Sequence, residues 1–407
     1  MRIGIVVDNE LNHDKRVLRE VAILRDAGNE IFVLCFGFGR RSYESPEGLT
    51  VIRRRINRRL KNTMFFFQNL FPCYERYWSK AIRQFLTENN IEALHVHDLY
   101  LSSAGHNGIK MSGRRIPMIL DLHENFPYAV TTYNWTKGIL RRLLSRPGMW
   151  MVKEQEYLGY ADRIIVLSDE FGELLTHKYP GLHKGIFTSI PNVPDLKEEM
   201  LKPDISLKVN ISQPGPVLFY FGVVAQRRGI FDVIEVFAGL VQEGHPSVLL
   251  IIGPVDKKDR KKFFRNINLE TIRERIYYLP WIDVSELPAY LSLADICLAP
   301  FHKNPQHESG VANKIFDYML GKKPVIASDC LPQKRLIEKY NCGLVYSDNE
   351  EMKAAIRRLS TDEKLRGEMG ERGYNAIINS HNTDIIRDKL LLLYSGLITG
   401  KKPENLY

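Results

Sequence analysis

Two adjacent arginines, Arg227 and Arg228, stand at a turn whose residue types favour anion binding. They follow a predicted strand, Val217–Phe221, and Gly222 and Gly229 allow a tight turn into the next helix. Backbone N–H groups and the positive end of a helix dipole would meet there with two guanidinium groups, which bind oxyanions in a bidentate manner. This combination suits a diphosphate. A surface loop with two solvated arginines is the alternative.

A second candidate lies on the predicted helix that carries Lys314 and Asp317. These residues are three positions apart and are therefore neighbours on one helix face. We expect the ammonium group of Lys314 to bind a phosphate. The carboxylate of Asp317 would bind a ribose diol through two hydrogen bonds. A minor ion pair within the helix is the alternative.

The loop before that helix offers further contacts to the same ligand. Small residues let backbone amides approach a ligand closely, and the loop contains Ser309, Gly310, Val311 and Ala312. The carboxylate of Glu308 would accept hydrogen bonds from sugar hydroxyls. We therefore expect residues 308–317 to contact phosphate, ribose and sugar groups.

Polar residues also end two neighbouring predicted strands in the first half of the chain. His95, His97 and Asp98 close one strand, and His123 and Glu124 follow the next. Imidazole and carboxylate groups in such numbers could bind a metal ion. They could equally form a polar surface that binds hydroxyl groups. The residues alone leave both interpretations open, and we expect no metal.

Several common chemistries are disfavoured by missing motifs. No G-x-G-x-x-G follows the first strand, and neither a phosphate-binding P-loop nor a G-x-S-x-G elbow occurs. The five cysteines are scattered without C-x-x-C spacing, which argues against a structural zinc site or a disulfide framework. We expect a reducing compartment.

The candidate residues must be positioned by alternating strands and helices. In the first half the predicted strands are Ile3–Val7, Glu30–Cys35, Ala93–Val96, Pro117–Asp121, Arg163–Leu167 and Gly185–Ile190. In the second half they are Val217–Phe221, Val248–Ile252, Ile276–Leu279, Ile296–Ala299, Pro324–Ala327 and Gly343–Val345. Apolar strands separated by helices form parallel sheets covered on both faces. The predicted class is α/β, with two Rossmann-like doubly wound parallel-sheet domains.

The alternation breaks once, in residues 191–216, which hold five of the twenty prolines. We place the first domain at residues 1–195, the linker at 196–216 and the second domain at 217–380. A last helix within 381–407 is expected to pack back on the first domain. Ligands of such sheets bind beyond the carboxyl ends of the strands, and two domains that face each other would form a cleft.

Two segments account for much of the net charge of +9. Residues 53–78 and 134–151 interleave arginines and lysines with aromatic and aliphatic side chains. This mixture suits an interfacial helix at an anionic bilayer. Aromatic core packing under solvated arginines is an alternative. Single-stranded nucleic acid is another, but we expect the bilayer.

No apolar stretch is long enough to span a membrane, and the N-terminus has only a five-residue apolar run. The predicted location is cytoplasmic, with a peripheral position on the inner face of the membrane.

With these residues assembled, the chain resembles the retaining glycosyltransferases of family 4, which have the GT-B fold. The resemblance covers most of the chain and is densest from Val217 to Gly373, where the segments FYFGVVAQRRGIFDVIEVF and NKIFDYMLGKKPVIASD carry it. It implies that Arg228 binds the donor diphosphate and Asp317 the ribose. Glu308 would bind the donor sugar.

The resemblance also extends to other candidate residues. It implies that His123 lies close to the transferred sugar. Family members often carry an arginine directly after the glycine that matches Gly222, and Arg227 would substitute for it here, since that position is Val223. The family's N-terminal diglycine loop is replaced here by residues 8–14. Asn12 in that loop, like His97, Asp98 and Glu124, is a candidate on the acceptor side.

The resemblance implies transfer of a sugar, of hexosyl type, from a nucleoside-diphosphate sugar to a hydroxyl acceptor with retention. No cofactor and no obligatory divalent metal are implied. Arg228 and Lys314 would stabilise charge on the leaving diphosphate, whose oxygen would take the acceptor's proton. His123 would position the sugar or stabilise positive charge near its ring. We expect a saccharide or lipid-linked acceptor in cell-surface polysaccharide or lipopolysaccharide assembly.

Two other functions remain open on the residues alone. One is a nucleotide-sugar epimerase or hydrolase of the same fold, in which His97, Asp98 or Glu124 acts as acid or base. The other is a non-catalytic, membrane-bound nucleotide-sugar sensor. The first would release product from the donor alone, and the second would bind the donor without turnover.

Overall fold

The computed structural model describes residues 1–12, 14–39, 48–196 and 207–399. The chain divides into two compact units, residues 1–191 with 386–407 and residues 192–385. Most of the first half of the predicted linker, residues 197–206, and the last eight residues of the chain lie outside the described residues.

The first unit contains, among its described residues, a seven-stranded parallel sheet with strand order β3-β2-β1-β4-β5-β6-β7. Its strands are β1 Arg2–Val6, β2 Glu30–Gly37, β3 Leu49–Arg55, β4 Ala93–His97, β5 Met118–Asp121, β6 Arg163–Val166 and β7 Phe187–Ser189. Its helices are α1 Lys15–Asp26, α2 Arg58–Phe66, α3 Cys73–Glu88, α4 Ser102–Ser112, α5 Phe126–Thr132, α6 Ile139–Ser145, α7 Met149–Leu158 and α8 Asp169–Lys178.

The second unit contains, in the part of the chain that the structure describes, a six-stranded parallel sheet with order β10-β9-β8-β11-β12-β13. Its strands are β8 Val217–Phe221, β9 Val248–Ile252, β10 Ile276–Leu279, β11 Ile296–Ala299, β12 Val325–Ser328 and β13 Gly343–Tyr346. Its helices are α9 Ile230–Gln242, α10 Arg260–Ile267, α11 Leu287–Ser292, α12 Asn313–Leu320, α13 Leu331–Tyr340, α14 Asn349–Thr361 and α15 Glu363–Ser380.

Both sheets reverse their strand order at one place. β1 pairs with β2 on one side and β4 on the other, and β8 lies likewise between β9 and β11. Ligands of doubly wound sheets bind at such switch points, beyond the carboxyl ends of the strands. The residues that follow β1, β4, β8 and β11 are therefore the first to examine. The predicted fold class of two Rossmann-like parallel-sheet domains is confirmed.

The last helix, α16 Thr383–Thr399, contributes a side chain to the first unit. The hydroxyl of Tyr394 lies 3.0 Å from Nδ1 of His95 on β4. Nζ of Lys389 donates to the carbonyl of Ser189 on β7 at 3.3 Å. Residues far apart in the chain thus complete one core.

The segment 53–78 is not the interfacial helix expected from its composition. Arg53–Arg55 lie on β3, an edge strand that pairs with β2, with Arg53 opposite Cys35. Two separate helices, α2 and α3, follow it. Three consecutive arginines obscured the strand because charged residues are uncommon in β-strands except at sheet edges.

Candidate functional site

The turn after β8 is shaped by two glycines that no other residue replaces easily. Gly222 has φ of +134°, and a Cβ there would lie 3.1 Å from Nζ of Lys314. Gly229 has φ of +71°, and a Cβ there would lie 1.5 Å from the carbonyl oxygen of Pro300. Both positions therefore require glycine. Gly222 requires it because of its backbone conformation and the nearby ammonium group of Lys314, and Gly229 because of the close packing of its backbone against Pro300.

Lys314 on α12 carries a buried ammonium group. Only 9% of its surface is exposed, and Nζ makes no hydrogen bond among the residues that the structure describes. Nζ lies 3.7 Å from the ring centroid of Tyr220 and 5.1 Å from that of Phe301. Burial, together with the charge of nearby Arg228, holds the pKa of Lys314 well below its ordinary range.

Arg228 is the second cation of this site. It ends the short 3₁₀ turn Gln226–Arg228, and its guanidinium carbon lies 5.2 Å from the ring centroid of Phe301. Its Nε is buried without a hydrogen-bond partner in the described structure. Burial lowers the pKa of Arg228, and the charge of Arg227 adds to this effect. Arg227 itself is exposed.

Arg228 lowers the pKa of buried Lys314, so the two neighbouring cations are electrostatically unfavourable unless an anion joins them. A buried charge without a partner lowers the free energy of unfolding by roughly several kcal/mol. An oxyanion that accepts hydrogen bonds from Lys314 and Arg228 would offset that cost. The site can therefore bind a phosphate or diphosphate.

The loop before α12 holds its polar groups in place internally. The carboxylate of Glu308 accepts a hydrogen bond from the N–H of Leu331, the first residue of α13, at 3.2 Å. The hydroxyl of Ser309 is buried and donates to the carbonyl of Pro305 at 2.6 Å. Gly310 and Val311 are half-buried and lead directly into the helix. The N–H of Ser309 also donates to the carbonyl of Gln306 at 3.3 Å, so both its backbone and its side chain support the loop.

Asp317 follows Lys314 by three residues on α12 and is half-buried. Its negative charge partly opposes the lowering of the Lys314 pKa. The structure thus brings together Arg228, Lys314 and Asp317 in the second unit, around the ends of β8 and β11, as the sequence suggested for a donor site. The first unit carries the other candidates.

His123 lies two residues after β5 and points a ring nitrogen into the first unit. Its Nε2 lies 2.9 Å from Nδ1 of His97, and its side chain is 23% exposed. Burial would lower the pKa of His123, but the carboxylates of Asp98 and Asp121 outweigh it and raise the pKa to about 9. At neutral pH His123 is thus a charged donor. A cationic imidazole would repel positive charge on a sugar ring, so a charged His123 agrees better with the expected positioning role.

His97 is too deeply buried to contact an acceptor. The sequence placed it on the acceptor side, but it is 1% exposed and lies beneath His123. On a strand, residues two apart point to the same face, and so His97 stacks on His95 at a ring-centroid distance of 4.4 Å. Both imidazoles face α1 inside the unit, near Glu20.

The remaining acceptor-side candidates are more accessible. Asp98 is half-buried with φ of +72° and accepts a hydrogen bond from the hydroxyl of Tyr100 at 2.8 Å. Glu124 accepts a hydrogen bond from the hydroxyl of Tyr133, and burial raises the pKa of Glu124. The side-chain oxygen of Asn12 accepts from Arg53 at 3.0 Å.

Three buried charged residues of the first unit were missed by the sequence analysis. Arg16 on α1 binds Asp121 at the end of β5 through two hydrogen bonds of 2.9 Å. Nε of Arg16 also lies 3.3 Å from Glu20, which is fully buried one turn further along the helix. The helical periodicity of α1 could have indicated the burial of Arg16 and Glu20. Arg16 and Glu20 occupy the apolar face of α1, where Val17, Val21 and Leu24 are buried.

Four buried side chains could in principle hold a metal ion. One ligand atom each of Glu20, His95, His97 and Asp121 lie within 4.8 Å of one another. Zinc holds nitrogen and oxygen ligands at about 2.0–2.2 Å, which sets tetrahedral ligand atoms roughly 3.4 Å apart. Oε2 of Glu20 is 3.9 and 4.0 Å from Nε2 of His95 and His97. Because the spacing is wide and Arg16 already neutralises a carboxylate, the cluster fits a metal poorly.

The two basic and aromatic segments differ in how their side chains are used. In 53–61 two of the cations form ion pairs within the protein, since Arg58 binds Glu10 and Lys61 binds Asp8 at 2.9 Å. The ring of Phe65 packs against Tyr74, Tyr100, Phe126 and Trp135. This segment matches the core-packing alternative.

The second segment buries Trp150 but exposes several of its aliphatic side chains to solvent. Ile139 is 92% exposed, and Leu140, Leu143, Met149, Met151 and Val152 are also exposed on α6 and α7. We call these residues the α6–α7 patch. Within the described residues, no helix combines the length and apolar character needed to cross a bilayer.

The fold places the chain among known structures. It superposes on sucrose-phosphate synthase from Thermosynechococcus elongatus with a TM-score of 0.72 at 17% identity, covering 98% of this chain and 100% of that one. It superposes on HepE from Anabaena, solved in complex with UDP, with a TM-score of 0.69 at 13% identity, covering 97% and 99%. Two Rossmann-like units with these likenesses define a protein of the GT-B fold.

Sequence comparison gives the family. Residues 15–198 match the family described as glycosyltransferase family 4, and residues 201–376 match the family described as glycosyl transferases group 1. The two matches together span most of the chain. The chain belongs to the family-4 glycosyltransferases of the GT-B fold.

Two curated relatives align over part of their length. Alpha-D-kanosaminyltransferase from Streptomyces kanamyceticus is 25% identical over 181 residues, 44% of this chain and 45% of the relative. The capsular polysaccharide biosynthesis glycosyltransferase CapM from Staphylococcus aureus is 22% identical over 190 residues, 45% of this chain and 46% of the relative. The matched region thus spans less than half of each of these relatives.

Proposed function

We propose that this protein transfers a sugar from a nucleoside-diphosphate sugar to a hydroxyl acceptor with retention of configuration. The observation that carries the proposal is a pair of cationic side chains, Lys314 and Arg228, whose Nζ and Nε atoms are buried without a hydrogen-bond partner among the described residues. Family membership and the UDP complex of the similar HepE support a nucleoside diphosphate as the anion.

The donor would bind along the ends of β8 and β11. Its diphosphate would accept hydrogen bonds from Lys314 and Arg228, with exposed Arg227 as an outer cation. Asp317 would bind the ribose diol. Backbone amides of Gly310 and Val311 would approach the phosphates or the sugar, with Ser309 supporting the loop beneath them. Glu308 would turn from the N–H of Leu331 to the sugar hydroxyls, which requires only a side-chain rotation.

The chemistry would be carried by electrostatics in the second unit. As the bond between the anomeric carbon and the phosphate oxygen breaks, negative charge grows on the diphosphate. Lys314 and Arg228 would stabilise that charge in a buried, weakly polarisable environment. A phosphate oxygen of the leaving group would take the proton of the acceptor hydroxyl, so that no protein base, cofactor or metal is required. His123 would donate a hydrogen bond that positions the sugar.

The acceptor is proposed to be a saccharide or a lipid-linked saccharide, as in cell-surface polysaccharide assembly. CapM, one of the similar proteins, is described as a capsular polysaccharide biosynthesis enzyme. Basic residues Lys137, Arg141, Arg142 and Arg146 accompany the α6–α7 patch and are exposed. Exposed apolar side chains among cations suit the surface of an anionic bilayer. Asn12, Asp98 and Glu124 would contact the acceptor.

One observation favours a second reaction. Burial raises the pKa of Glu124, and a carboxyl group with a raised pKa is a candidate for acid–base catalysis. A hydrolase or epimerase of the same fold would use such a group beside His123. The two reactions are separated by incubating the protein with donor alone. Product release at a rate that no acceptor changes would favour the second reaction.

A thermal-shift panel tests whether the protein binds a nucleoside diphosphate. UDP, GDP, ADP, CMP and NAD are compared on the wild type and on Asp317→Ala. A ligand at a hundredfold its Kd stabilises the folded state by about 2.7 kcal/mol. We expect one nucleoside diphosphate to raise Tm by a few degrees and the shift to disappear in the variant. No response to any diphosphate would overturn the donor assignment.

A further inference from the structure

A line of three side chains leads from the interior of the first unit to His123. Oε2 of Glu20 on α1 lies 4.0 Å from Nε2 of His97. Nδ1 of His97 lies 2.9 Å from Nε2 of His123. Glu20 and His97 are buried, whereas His123 is partly exposed. Glu20 is too far from His97 for a hydrogen bond, so it acts on the two imidazoles only through its charge.

Neighbouring groups fix this line in space. Oδ2 of Asp121 lies 3.5 Å from both Nδ1 of His97 and Nε2 of His123. Arg16 holds the same carboxylate from the other side with two hydrogen bonds of 2.9 Å. His95 stacks on His97, and its own Nδ1 is bonded to Tyr394. His97 thus has little freedom to rotate.

The contact between the two imidazoles requires one donor and one acceptor. Facing His123 are Asp98 and His97 from the end of β4, Asp121 from β5, and Glu20 and Arg16 from α1. Glu124 follows it in the chain. The carboxylates favour the charged form of His123, which then donates from Nε2 to Nδ1 of His97. His97 must consequently carry its own proton on Nε2, toward Glu20.

We propose that His97 is a positioning residue, which holds the inward N–H of His123 so that the other ring nitrogen, Nδ1, faces the substrate side as a second N–H donor. Glu20 supports this arrangement by attracting the proton on Nε2 of His97. Nδ1 of His123 makes no hydrogen bond within the described residues, so it is available to a ligand. Its use on a sugar hydroxyl rests on the proposed transferase function.

A titration of His123 by nuclear magnetic resonance tests the geometry without any substrate. The full chain is labelled with ¹⁵N-histidine, and His123 is assigned by comparison with His123→Gln. His97→Phe keeps a ring of similar size but removes the acceptor. His97→Asn returns an oxygen near the position of Nδ1. The matched control is His95→Phe, which alters the neighbouring buried imidazole on the same strand without touching His123.

We expect His97→Phe to lower the titration midpoint of His123 by about one to two pH units, because a hydrogen bond to the charged ring is lost. His97→Asn should restore most of the shift, and His95→Phe should leave the midpoint near the wild-type value. A midpoint unchanged in a folded His97→Phe protein would overturn the proposal. If that variant does not fold, Glu20→Gln replaces it, with a smaller fall expected.

Two further measurements separate the proposal from its rivals. Metal analysis of the purified chain should find no stoichiometric ion. One zinc per chain that disappears in Glu20→Gln would overturn the positioning role. With an active donor and acceptor, His97→Phe should lower kcat about 100-fold with little change in the donor KM. Absence of any turnover in the wild type would count against the transferase function and leave the titration result standing.

Discussion

Lys314 and Arg228 point at the same aromatic ring. Nζ of Lys314 and the guanidinium carbon of Arg228 lie 5.1 and 5.2 Å from the centroid of Phe301. The ring's negative face partly offsets two like charges, although a cation–π contact contributes only about 0.5–2 kcal/mol. The arrangement stores unfavourable electrostatics in the free protein that a bound diphosphate would relieve. Binding and stability should therefore respond to mutation in opposite directions.

Replacing Lys314 by methionine tests that opposition. Lys314→Met removes a buried charge that makes no hydrogen bond among the described residues and keeps an apolar side chain. We expect the free energy of unfolding to rise by about 1–3 kcal/mol. Transfer activity should fall by about 10²–10³ because a cation at the leaving group is lost. Urea unfolding and an initial-rate assay measure the two effects. The control is Lys322→Met, whose exposed ammonium pairs with Glu371 at 2.9 Å. A destabilised Lys314→Met protein would contradict the electrostatic argument.

Gly229 should be less replaceable than a glycine of the same backbone conformation elsewhere. Gly113→Ala, at φ of +70° with open space around it, should cost about 1–2 kcal/mol in unfolding free energy from strain alone. Gly229→Ala, at +71°, should cost more, since its Cβ would meet the carbonyl of Pro300. It should also weaken diphosphate binding by moving Arg228. Denaturant unfolding and titration with the diphosphate check this. Equal losses at the two sites would argue against the packing constraint.

His123 should make stability depend on alkaline pH. Its pKa is raised from 6.5 to about 9 in the folded protein. The stabilisation is fully present below pH 6.5 and is lost as pH rises through about 9. The shift corresponds to a contribution on the order of 3 kcal/mol at most. We expect the difference in unfolding free energy between the wild type and His123→Gln to shrink from pH 6 to pH 9.5. A difference that does not change with pH would show that His123 has no raised pKa.

The α6–α7 patch should bind anionic vesicles. Leu140→Gln combined with Leu143→Gln should weaken sedimentation with phosphatidylglycerol vesicles at least tenfold, since each buried leucine contributes about 1.5–3 kcal/mol. Arg53→Gln is the matched control, because Arg53 already binds Asn12 at 3.0 Å. High salt should weaken binding as well. No binding of the wild type at low salt would remove the membrane from the proposal.

The strands of the second unit illustrate how much the chain's pattern predicts. The bounds expected for β8, β9, β10 and β11 agree with those observed. Apolar runs of four or five residues between glycines, prolines and helical stretches are local signals. β3 was missed because an edge strand tolerates arginines that a buried strand excludes.

The first unit shows where local signals end. Arg16 and Asp121 are 105 positions apart, and their ion pair follows only from the packing of α1 against the sheet. Burial of His97 under His123 likewise depends on the pairing of β4 with β5. Residues 53–61 resemble a bilayer-binding segment in sequence. The sequence does not show that Asp8 lies beside Lys61 and that Glu10 lies beside Arg58.

The sequence by itself determined two parallel-sheet units and the cations that could meet a diphosphate. The hydrophobic periodicity that distinguishes strands from helices is a property of neighbouring residues. Ligands of such sheets bind beyond the carboxyl ends of the strands. Only the tertiary structure decided which of the polar residues are buried, which ones pair, and that Nζ of Lys314 and Nε of Arg228 make no hydrogen bond among the described residues. Desolvation and pairing depend on distances across the fold, and those distances are set by packing rather than by spacing along the chain.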